Sequence, residues 1–223
     1  MSFFLTYSQE NGEYLLKPAG YGLLILLFAV LFLGIHLLSK SSHKANQLKT
    51  RQLVYCAGAM ALAVVTSFIK FASLPFGGSI TLFSMLFICL IGNVYGLKAG
   101  IMTGISYGIL QFILGPYIYA PLQVLLDYPL AFGALGLSGL FWNKKNGLIL
   151  GYITGVFGRY LCHVISGYLF FASYAPENVN PFLYTLGYNA TYILPEMLLT
   201  IVILYLPPVI KAIGQMKRQA VNG

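Results

Sequence analysis

Long apolar runs alternate with short polar breaks that contain glycine or proline along most of the chain. Each run approaches the length of about 20 residues that an α-helix needs to cross the hydrocarbon core of a membrane. The pattern therefore predicts seven membrane-spanning helices, at about residues 20–39, 53–72, 82–97, 99–114, 122–141, 148–172 and 184–206. The third and fourth are short, and only Gly96, Leu97 and Lys98 separate them.

The composition identifies the class of protein. Hydrophobic residues make up 58% of the chain and charged residues 8%, and the mean hydropathy is +0.80. This leaves too little polar surface to cover a water-soluble globule, so we expect an all-α integral membrane protein. The formal net charge of +8 comes from short basic clusters between the apolar runs, which does not indicate nucleic-acid binding.

The basic residues also predict the orientation in the membrane. Loops on the cytoplasmic side carry an excess of lysine and arginine, and the basic clusters all fall on one side of the predicted spans. The N-terminus is then outside, the C-terminus is cytoplasmic, and the outer loops are residues 73–81, 115–121 and 173–183. The cytoplasmic clusters are Lys40 to Arg51, Lys98, Lys144 with Lys145, and a tail with Lys211, Lys217 and Arg218.

Two of the five acidic residues lie inside apolar runs. Glu10 and Glu13 belong to a polar N-terminal segment and Glu177 to a loop, whereas Asp127 and Glu196 fall within predicted spans. An ionised group at the bilayer centre costs roughly 3 kcal/mol on insertion scales. These two carboxylates are therefore expected to be functional or paired.

Arg159 and Glu196 are predicted to pair with each other. Both lie about 15 to 17 Å from the cytoplasmic ends of their spans, at 1.5 Å per helical residue. The two spans are consecutive, so they are expected to be neighbours, and opposite charges near mid-bilayer cost less together than apart. We expect a structural ion pair.

Polar side chains converge on the outer half of the predicted bundle. Asp127 and Asn189 lie about 8 Å below the outer ends of their spans and His163 about 14 Å below its own. Such groups among apolar walls predict a small-molecule pocket open to the outside. The alternative is that each polar group links neighbouring helices. Three phenols lie near the same level: Tyr117, Tyr128 and Tyr184.

For Asp127 the linking alternative is weaker, because no basic residue lies at its depth in the outer half. Lys70 is the nearest candidate, and its side chain can instead extend to the membrane interface. The carboxylate of Asp127 is therefore the principal candidate for contact with a ligand.

Glycines at positions 96, 100, 104 and 108 recur every four residues, a pattern typical of close helix packing. The segment from Gly104 to Gly108 also fits G-x-S-x-G, and Ser106 lies near the depth of His163. An intramembrane serine hydrolase using Ser106 and His163 is therefore kept as an alternative, although its nucleophile needs a strand-to-helix turn and this segment reads as continuous helix. A self-sufficient secondary carrier is the third possibility.

Other chemistry is not indicated. The three cysteines are odd in number, far apart and within apolar runs, which predicts neither a disulfide framework nor a metal site. The chain has no P-loop, no H-E-x-x-H and no paired carboxylates, so we expect no catalytic residue, no cofactor and no metal.

A family resemblance rests on four segments of the chain: Gly77–Ser79, Leu125–Phe132, Arg159–Gly167 and Tyr184–Tyr192. These segments resemble the thiamine-specific substrate-binding (S) components of bacterial energy-coupling factor (ECF) transporters. The resemblance covers about residues 52–210, a six-helix substrate-binding membrane domain. It leaves residues 1–51 as an N-terminal tail, an extra membrane helix and a basic cytoplasmic loop, and 211–223 as a basic cytoplasmic tail.

The resemblance implies a subunit of the bacterial cell membrane that binds its vitamin with high affinity on the extracellular side. It implies coupling to a shared transmembrane protein and two ATPases. Asp127 matches the acidic position near the thiazolium, where the better-known pattern has Glu. His163, Tyr184 and Asn189 match positions near the aminopyrimidine. The remaining matches are Tyr117 near the hydroxyethyl end, Tyr128 as a neighbouring aromatic, Phe171 where some members stack a Trp, and Gly78 in a loop able to close over the ligand.

The chemistry of thiamine agrees with this set of side chains. Its permanent cation on an aromatic ring requires a carboxylate and aromatic faces, and aromatic faces attract cations by about 0.5 to 2 kcal/mol. On the second span, two alanine pairs recur at a spacing of four residues, Ala57 with Ala61 and Ala59 with Ala63, and the first pair is the candidate small-residue docking face. The resemblance implies that the coupling protein docks there, and packing within the bundle is the alternative.

Overall fold

The computed structural model describes residues 3, 5–8, 13–40, 50–74, 78–142 and 144–222. Within them the protein is an all-α membrane protein, as predicted. Two shorter apolar stretches of helix, Pro18–Val30 and Ser84–Tyr95, accompany the longer ones. Four helical segments are long and apolar enough to cross a membrane: Leu97–Leu114, Pro121–Phe141, Gly147–Tyr174 and Pro181–Leu204.

The helices follow the predicted spans closely, with one addition at the C-terminus. Two antiparallel hairpins accompany them, β1 (Leu5–Ser8) with β2 (Glu13–Leu16) and β3 (Lys70–Ser73) with β4 (Ser79–Thr81). The helices are α1 (Pro18–Lys40), α2 (Thr50–Ser67), α3 (Ser84–Tyr95), α4 (Leu97–Leu114), α5 (Pro121–Phe141), α6 (Gly147–Phe171), α7 (Pro181–Leu204) and α8 (Pro207–Asn222).

The predicted end of the second span, at residue 72, is wrong. Helix α2 ends at Ser67, and the apolar residues that follow form strand β3 instead. Periodicity alone does not distinguish a strand from the end of a helix in a short apolar run, which explains the error. The predicted outer loop, residues 73–81, therefore belongs to the β3–β4 hairpin. Residues 75–77 of this hairpin lie outside the described residues.

The C-terminal basic tail is helical, which the sequence analysis did not predict. Val209, Ile213 and Met216 recur at helical spacing along α8 and pack against the main hydrophobic core. Lys217 donates a hydrogen bond to the carbonyl oxygen of Trp142 at 3.2 Å. The basic segment 41–49 lies outside the described residues.

The glycine repeat of α4 is a packing face, as predicted. A Cβ on Gly100 would lie 2.9 Å from the carbonyl oxygen of Gly136, and one on Gly104 would lie 3.0 Å from the Cα of Gly133. Both neighbours belong to α5, so the backbones of α4 and α5 approach each other at distances that only glycine allows. Gly96 has φ +87°, a left-handed conformation that lets the chain break sharply between α3 and α4.

The predicted ion pair between Arg159 and Glu196 is wrong. Glu196 is 3% exposed, and its carboxylate accepts hydrogen bonds from the backbone N–H of Thr81 at 2.9 Å, the hydroxyl of Thr81 at 2.8 Å and the hydroxyl of Ser84 at 3.4 Å. Arg159 instead faces His163 and the ring of Phe132. Counting residues along a helix gives depth but not the direction in which a side chain points, which is why the two charges matched in depth and still do not meet.

Glu196 therefore connects the β3–β4 hairpin to α7. Strand β4 and the start of α3 supply all three donors to its carboxylate. A buried carboxylate with three hydrogen bonds is stable inside an apolar bundle because its desolvation is compensated.

Replacing Glu196 should destabilise the protein. In Glu196→Ala the donors on Thr81 and Ser84 lose their acceptor, and each unsatisfied buried donor costs about 1 to 3 kcal/mol. We expect a clear decrease of Tm in detergent, followed by circular dichroism, and a smaller decrease in Glu196→Gln. The exposed Glu177 provides the control, since Glu177→Gln should leave Tm unchanged.

Adding Arg159→Gln to Glu196→Gln should not restore stability, because the two side chains do not pair. Recovery of Tm in the double variant would contradict the arrangement described here.

Candidate functional site

Two adjoining cavities lie at one end of the bundle. The β3–β4 hairpin and the connections before α5 and α7 are at the same end. The larger has a volume of about 180 Å³ and the smaller of about 50 Å³. Asp127, His163 and Tyr192 line both, so these three side chains mark the junction. A site of this kind combines apolar walls with a few converging polar groups.

Asp127 lies on an irregular turn of α5. The chain forms a π-helix over Leu126–Leu130, with Pro129 inside it. Proline has no N–H to donate to the preceding turn, and single π-turns within helices are frequent at functional sites. The amide of Gln123, one turn earlier, donates to Asp127 Oδ2 at 2.7 Å, and His163 Nδ1 lies 3.0 Å from Asp127 Oδ1. Both carboxylate oxygens are thus held by the protein.

His163 and Asp127 are joined by this hydrogen bond, and their side chains are 12% and 17% exposed. The other ring nitrogen of His163, Nε2, accepts a hydrogen bond from Arg159 Nε at 3.2 Å. The guanidinium of Arg159 lies over the ring of Phe132, 4.2 Å from its centroid. Four side chains on α5 and α6 therefore form one chain from Gln123 to Arg159.

Asn189 lines the smaller cavity, but its side chain already serves the protein. Its amide donates to the carbonyl oxygens of His163 at 3.3 Å and Thr185 at 2.9 Å, and its oxygen accepts from the hydroxyl of Tyr192 at 2.6 Å. Of the two interpretations that the sequence left open for Asn189, these contacts favour a link between α6 and α7.

Aromatic rings form the walls around the junction. Phe171 lies 4.9 Å from Tyr119 and 6.1 Å from Tyr117, measured between ring centroids. On α7, Tyr184 and Tyr188 stack with centroids 6.3 Å apart. The site therefore offers faces to a planar or cationic ligand, with Phe171 and Tyr184 on the smaller cavity and Tyr117 on the larger.

Tyr128 orders the connection before α5. Its hydroxyl accepts a hydrogen bond from the backbone N–H of Tyr117 at 2.8 Å and donates to the carbonyl oxygen of Gly115 at 3.3 Å. Both tyrosines line the larger cavity. Tyr128 thereby fixes the position of Tyr117.

Gly78 allows the β3–β4 hairpin to pack closely against tyrosines of α7. It is buried, and a Cβ at this position would lie 2.9 Å from the hydroxyl oxygen of Tyr188 and from Cδ1 of Tyr192. Any larger residue would push the hairpin away from these rings. Gly78 belongs to the wall of the larger cavity.

The structure thus brings every sequence-predicted binding residue to one of the two cavities. Sequence reasoning missed Gln123, Arg159, Tyr188 and Tyr192 as members of the site. A helical-spacing argument points to two of them, since Gln123 lies four residues before Asp127 and Arg159 four residues before His163.

The serine of the G-x-S-x-G pattern is not in the site. Ser106 is exposed on the continuous helix α4 and lines neither cavity. No strand-to-helix turn precedes it within α4, so the geometry of a nucleophile elbow is missing there.

The two alanine pairs of α2 point in different directions. Ala57 and Ala61 are exposed, whereas Ala63 is 0% exposed and Ala59 packs against Cys56 and its neighbours on α3 and α4. Packing within the bundle therefore uses Ala59 and Ala63, and the face with Ala57 and Ala61 is available on the outside of the bundle.

Comparison with known proteins identifies the family. Residues 53–214 match the sequence profile of the family described as "Thiamine transporter protein (Thia_YuaJ)". The chain is 38% identical over 167 residues to the thiamine transporter ThiT of Bacillus subtilis, covering 69% of this chain and 85% of that protein. It is 35% identical over 125 residues to the thiamine transporter ThiT of Lacticaseibacillus paracasei, covering 48% and 62%.

A solved structure has the same fold. The structure of ThiT from Listeria monocytogenes superposes with a TM-score of 0.59 at 28% sequence identity, covering 69% of this chain and 90% of that one. These findings confirm the resemblance seen in the sequence. They also confirm that the protein belongs to a family of transporters rather than enzymes. The chain is a multi-pass membrane protein that belongs to the thiamine transporter family.

Proposed function

We propose that this protein is the thiamine-binding S component of an ECF importer and that it binds its vitamin on the extracellular side. The observation that carries the proposal is the carboxylate of Asp127, held by Gln123 and His163 at the junction of two aromatic-lined cavities. A permanent organic cation finds there both a partly desolvated countercharge and aromatic faces.

The cavities suggest how thiamine lies. The thiazolium occupies the junction beside Asp127, and the aminopyrimidine enters the smaller cavity among His163, Tyr184 and Phe171. The hydroxyethyl end extends into the larger cavity toward Tyr117. In this pose Asn189 acts through its bonds to His163 and Tyr192, and Tyr128 acts through Tyr117.

The β3–β4 hairpin is suited to covering the bound ligand. Gly78 rests on Tyr188 and Tyr192, and Glu196 holds the base of the hairpin through Thr81. The described part of the hairpin is therefore held by Glu196 at its base and lies against the aromatic wall at Gly78. We propose that the hairpin adjusts when the vitamin enters or leaves.

Coupling to transport is proposed to use the outer face of α2. Ala57 and Ala61 are exposed there, and Gly58 beside them has nothing within 4 Å of a built Cβ. A small-residue face lets a helix of another protein approach closely. The proposed partners are the shared transmembrane coupling protein and its two ATPases, which supply the ATP hydrolysis that this chain's motifs do not provide.

The proposed orientation places both cavities toward the outside. They lie at the end opposite to Lys98, Lys144 and Lys145, and the excess of basic residues belongs on the cytoplasmic side. The N-terminus is then outside and the C-terminal helix α8 is cytoplasmic.

Thiamine binding should depend on the charge of Asp127. Asp127→Asn places an amide opposite the donors of Gln123 and His163 and removes the countercharge, so we expect binding at least tenfold weaker, or about 1.4 kcal/mol. Calorimetry with thiamine and purified protein, without ATP or metal, measures the effect. Glu177→Gln is the control and should bind as the wild type does; unchanged affinity in Asp127→Asn would remove Asp127 from the site.

Bulk on the outer face of α2 should separate binding from transport. Ala57→Trp and Ala61→Trp should bind thiamine normally but lose ATP-driven uptake, because a large side chain prevents close approach of a partner helix. Binding is measured in detergent and uptake in cells or reconstituted vesicles. Ile165→Trp, on an exposed part of α6, should retain both activities.

Normal uptake in both alanine variants would place the docking face elsewhere. Uptake by the purified chain alone, without ATP, would instead support the self-sufficient carrier.

Labelling tests the orientation. A cysteine introduced as Glu177→Cys, in the exposed connection before α7, should react in intact cells with a membrane-impermeant maleimide. Lys211→Cys, exposed on α8, should react only after the membrane is permeabilised. Both are prepared in a background in which the three native cysteines are replaced by serine or alanine. The opposite pattern would reverse the proposed orientation.

A further inference from the structure

Arg159 is an unexpected member of a site for a cation. Its guanidinium lies 4.2 Å from the ring centroid of Phe132, and both residues line the larger cavity together with Asp127. A positive charge there opposes the binding of another positive charge unless it serves the site in a different way. Its hydrogen bond to His163 indicates a different role for Arg159 in the site.

The hydrogen-bond directions determine the protonation of His163. A guanidinium N–H can only donate, so the contact of 3.2 Å from Arg159 Nε requires a lone pair on His163 Nε2. The ring proton must then be on Nδ1, from which it is donated to Asp127 Oδ1 at 3.0 Å. His163 is therefore a neutral donor to the carboxylate rather than a cation paired with it.

This matters because a histidine beside a carboxylate readily takes up a proton near neutral pH. An imidazolium at position 163 would neutralise Asp127 and compete with a cationic ligand for it. The same imidazolium would place an N–H on Nε2 against the N–H and the positive charge of Arg159, which is unfavourable. The contact between Arg159 Nε and His163 Nε2 is thus compatible only with a neutral ring.

We propose that Arg159 is a positioning residue that holds His163 in its neutral Nδ1–H form and so leaves the negative charge of Asp127 to the ligand. The inference rests on the proposed function, since it concerns how the same site keeps its affinity for thiamine. It assigns to Arg159 a role through His163 rather than a contact with the vitamin.

The other titratable groups around His163 do not supply this effect. The remaining charged side chain on the two cavities is Lys70, on β3, which lines the larger cavity with His163 and makes no hydrogen bond or ion pair within the described part of the chain. The other titratable groups there are phenols rather than carboxylates or amines. They are Tyr107, Tyr117, Tyr128, Tyr184, Tyr188 and Tyr192.

The pH profile of thiamine binding tests the inference. For the wild type we expect the Kd to change less than about threefold between pH 8.0 and pH 6.0. Arg159→Met keeps an apolar stem over Phe132 but removes the donor and the charge. Whatever its Kd at pH 8.0, that Kd should weaken at least tenfold when the pH is lowered to 6.0, because His163 becomes protonated and pairs with Asp127.

Three further variants separate positioning from general charge. Arg159→Lys retains a donor and should keep the flat profile. Lys70→Met removes a cation from the same cavity without touching His163 and should also be flat. Arg159→Met combined with His163→Gln removes the titrating ring and should lose the pH dependence of Arg159→Met.

A flat profile in Arg159→Met, or the same slope in Lys70→Met, would overturn the inference while leaving thiamine binding intact. No thiamine binding by the wild type at any pH would overturn the proposed function and the inference with it.

A second measurement observes the wild-type protein directly and uses a variant only to assign the signal. Nitrogen-15 spectra of wild-type protein labelled at histidine, with the signal of His163 assigned by its loss in His163→Gln, report which ring nitrogen carries the proton. We expect the Nδ1–H form at pH 7. An Nε2–H form or an imidazolium at that pH would overturn the inference.

Discussion

A carboxylate inside an apolar helical bundle must be compensated, and the compensation of Asp127 organises the end of the bundle that holds the two cavities. Gln123 and His163 each bond one of its oxygens, and Arg159 bonds the far side of His163. The partners come from α5 and α6, so the chain of hydrogen bonds fixes these helices relative to each other. A site built this way holds a charge ready for a ligand at little cost in reorganisation, because its groups are already oriented.

Close packing of glycine backbones makes that chain possible. The glycines of α4 and α5 let the two helices approach so closely that a Cβ on Gly108 would lie 3.0 Å from the Cα of Pro129, within the π-helical turn that carries Asp127. The irregular turn is therefore supported from behind by α4 rather than by its own hydrogen bonds alone. Interiors packed at this density deform little, so the direction of Asp127 is well defined.

The second buried carboxylate plays a different part because its partners are different. Glu196 bonds Thr81 and Ser84 and so connects α7 to the hairpin above the cavities. One acidic residue thus faces both cavities, and the other holds the β3–β4 hairpin beside them. Their surroundings, rather than their depth in the bundle, distinguish the two roles.

The sequence by itself determined the membrane class, the approximate bounds of most apolar helices and the family, because these follow from run length, composition and local motifs. It also predicted a set of side chains that the structure brings to the two cavities. Only the tertiary structure decided where each side chain points. It separated Arg159 from Glu196, turned the end of the second span into a hairpin, and engaged Asn189 with its own neighbours. Hydrophobic patterning records depth and length, whereas the rotation of each helix depends on packing against residues that are distant in the chain.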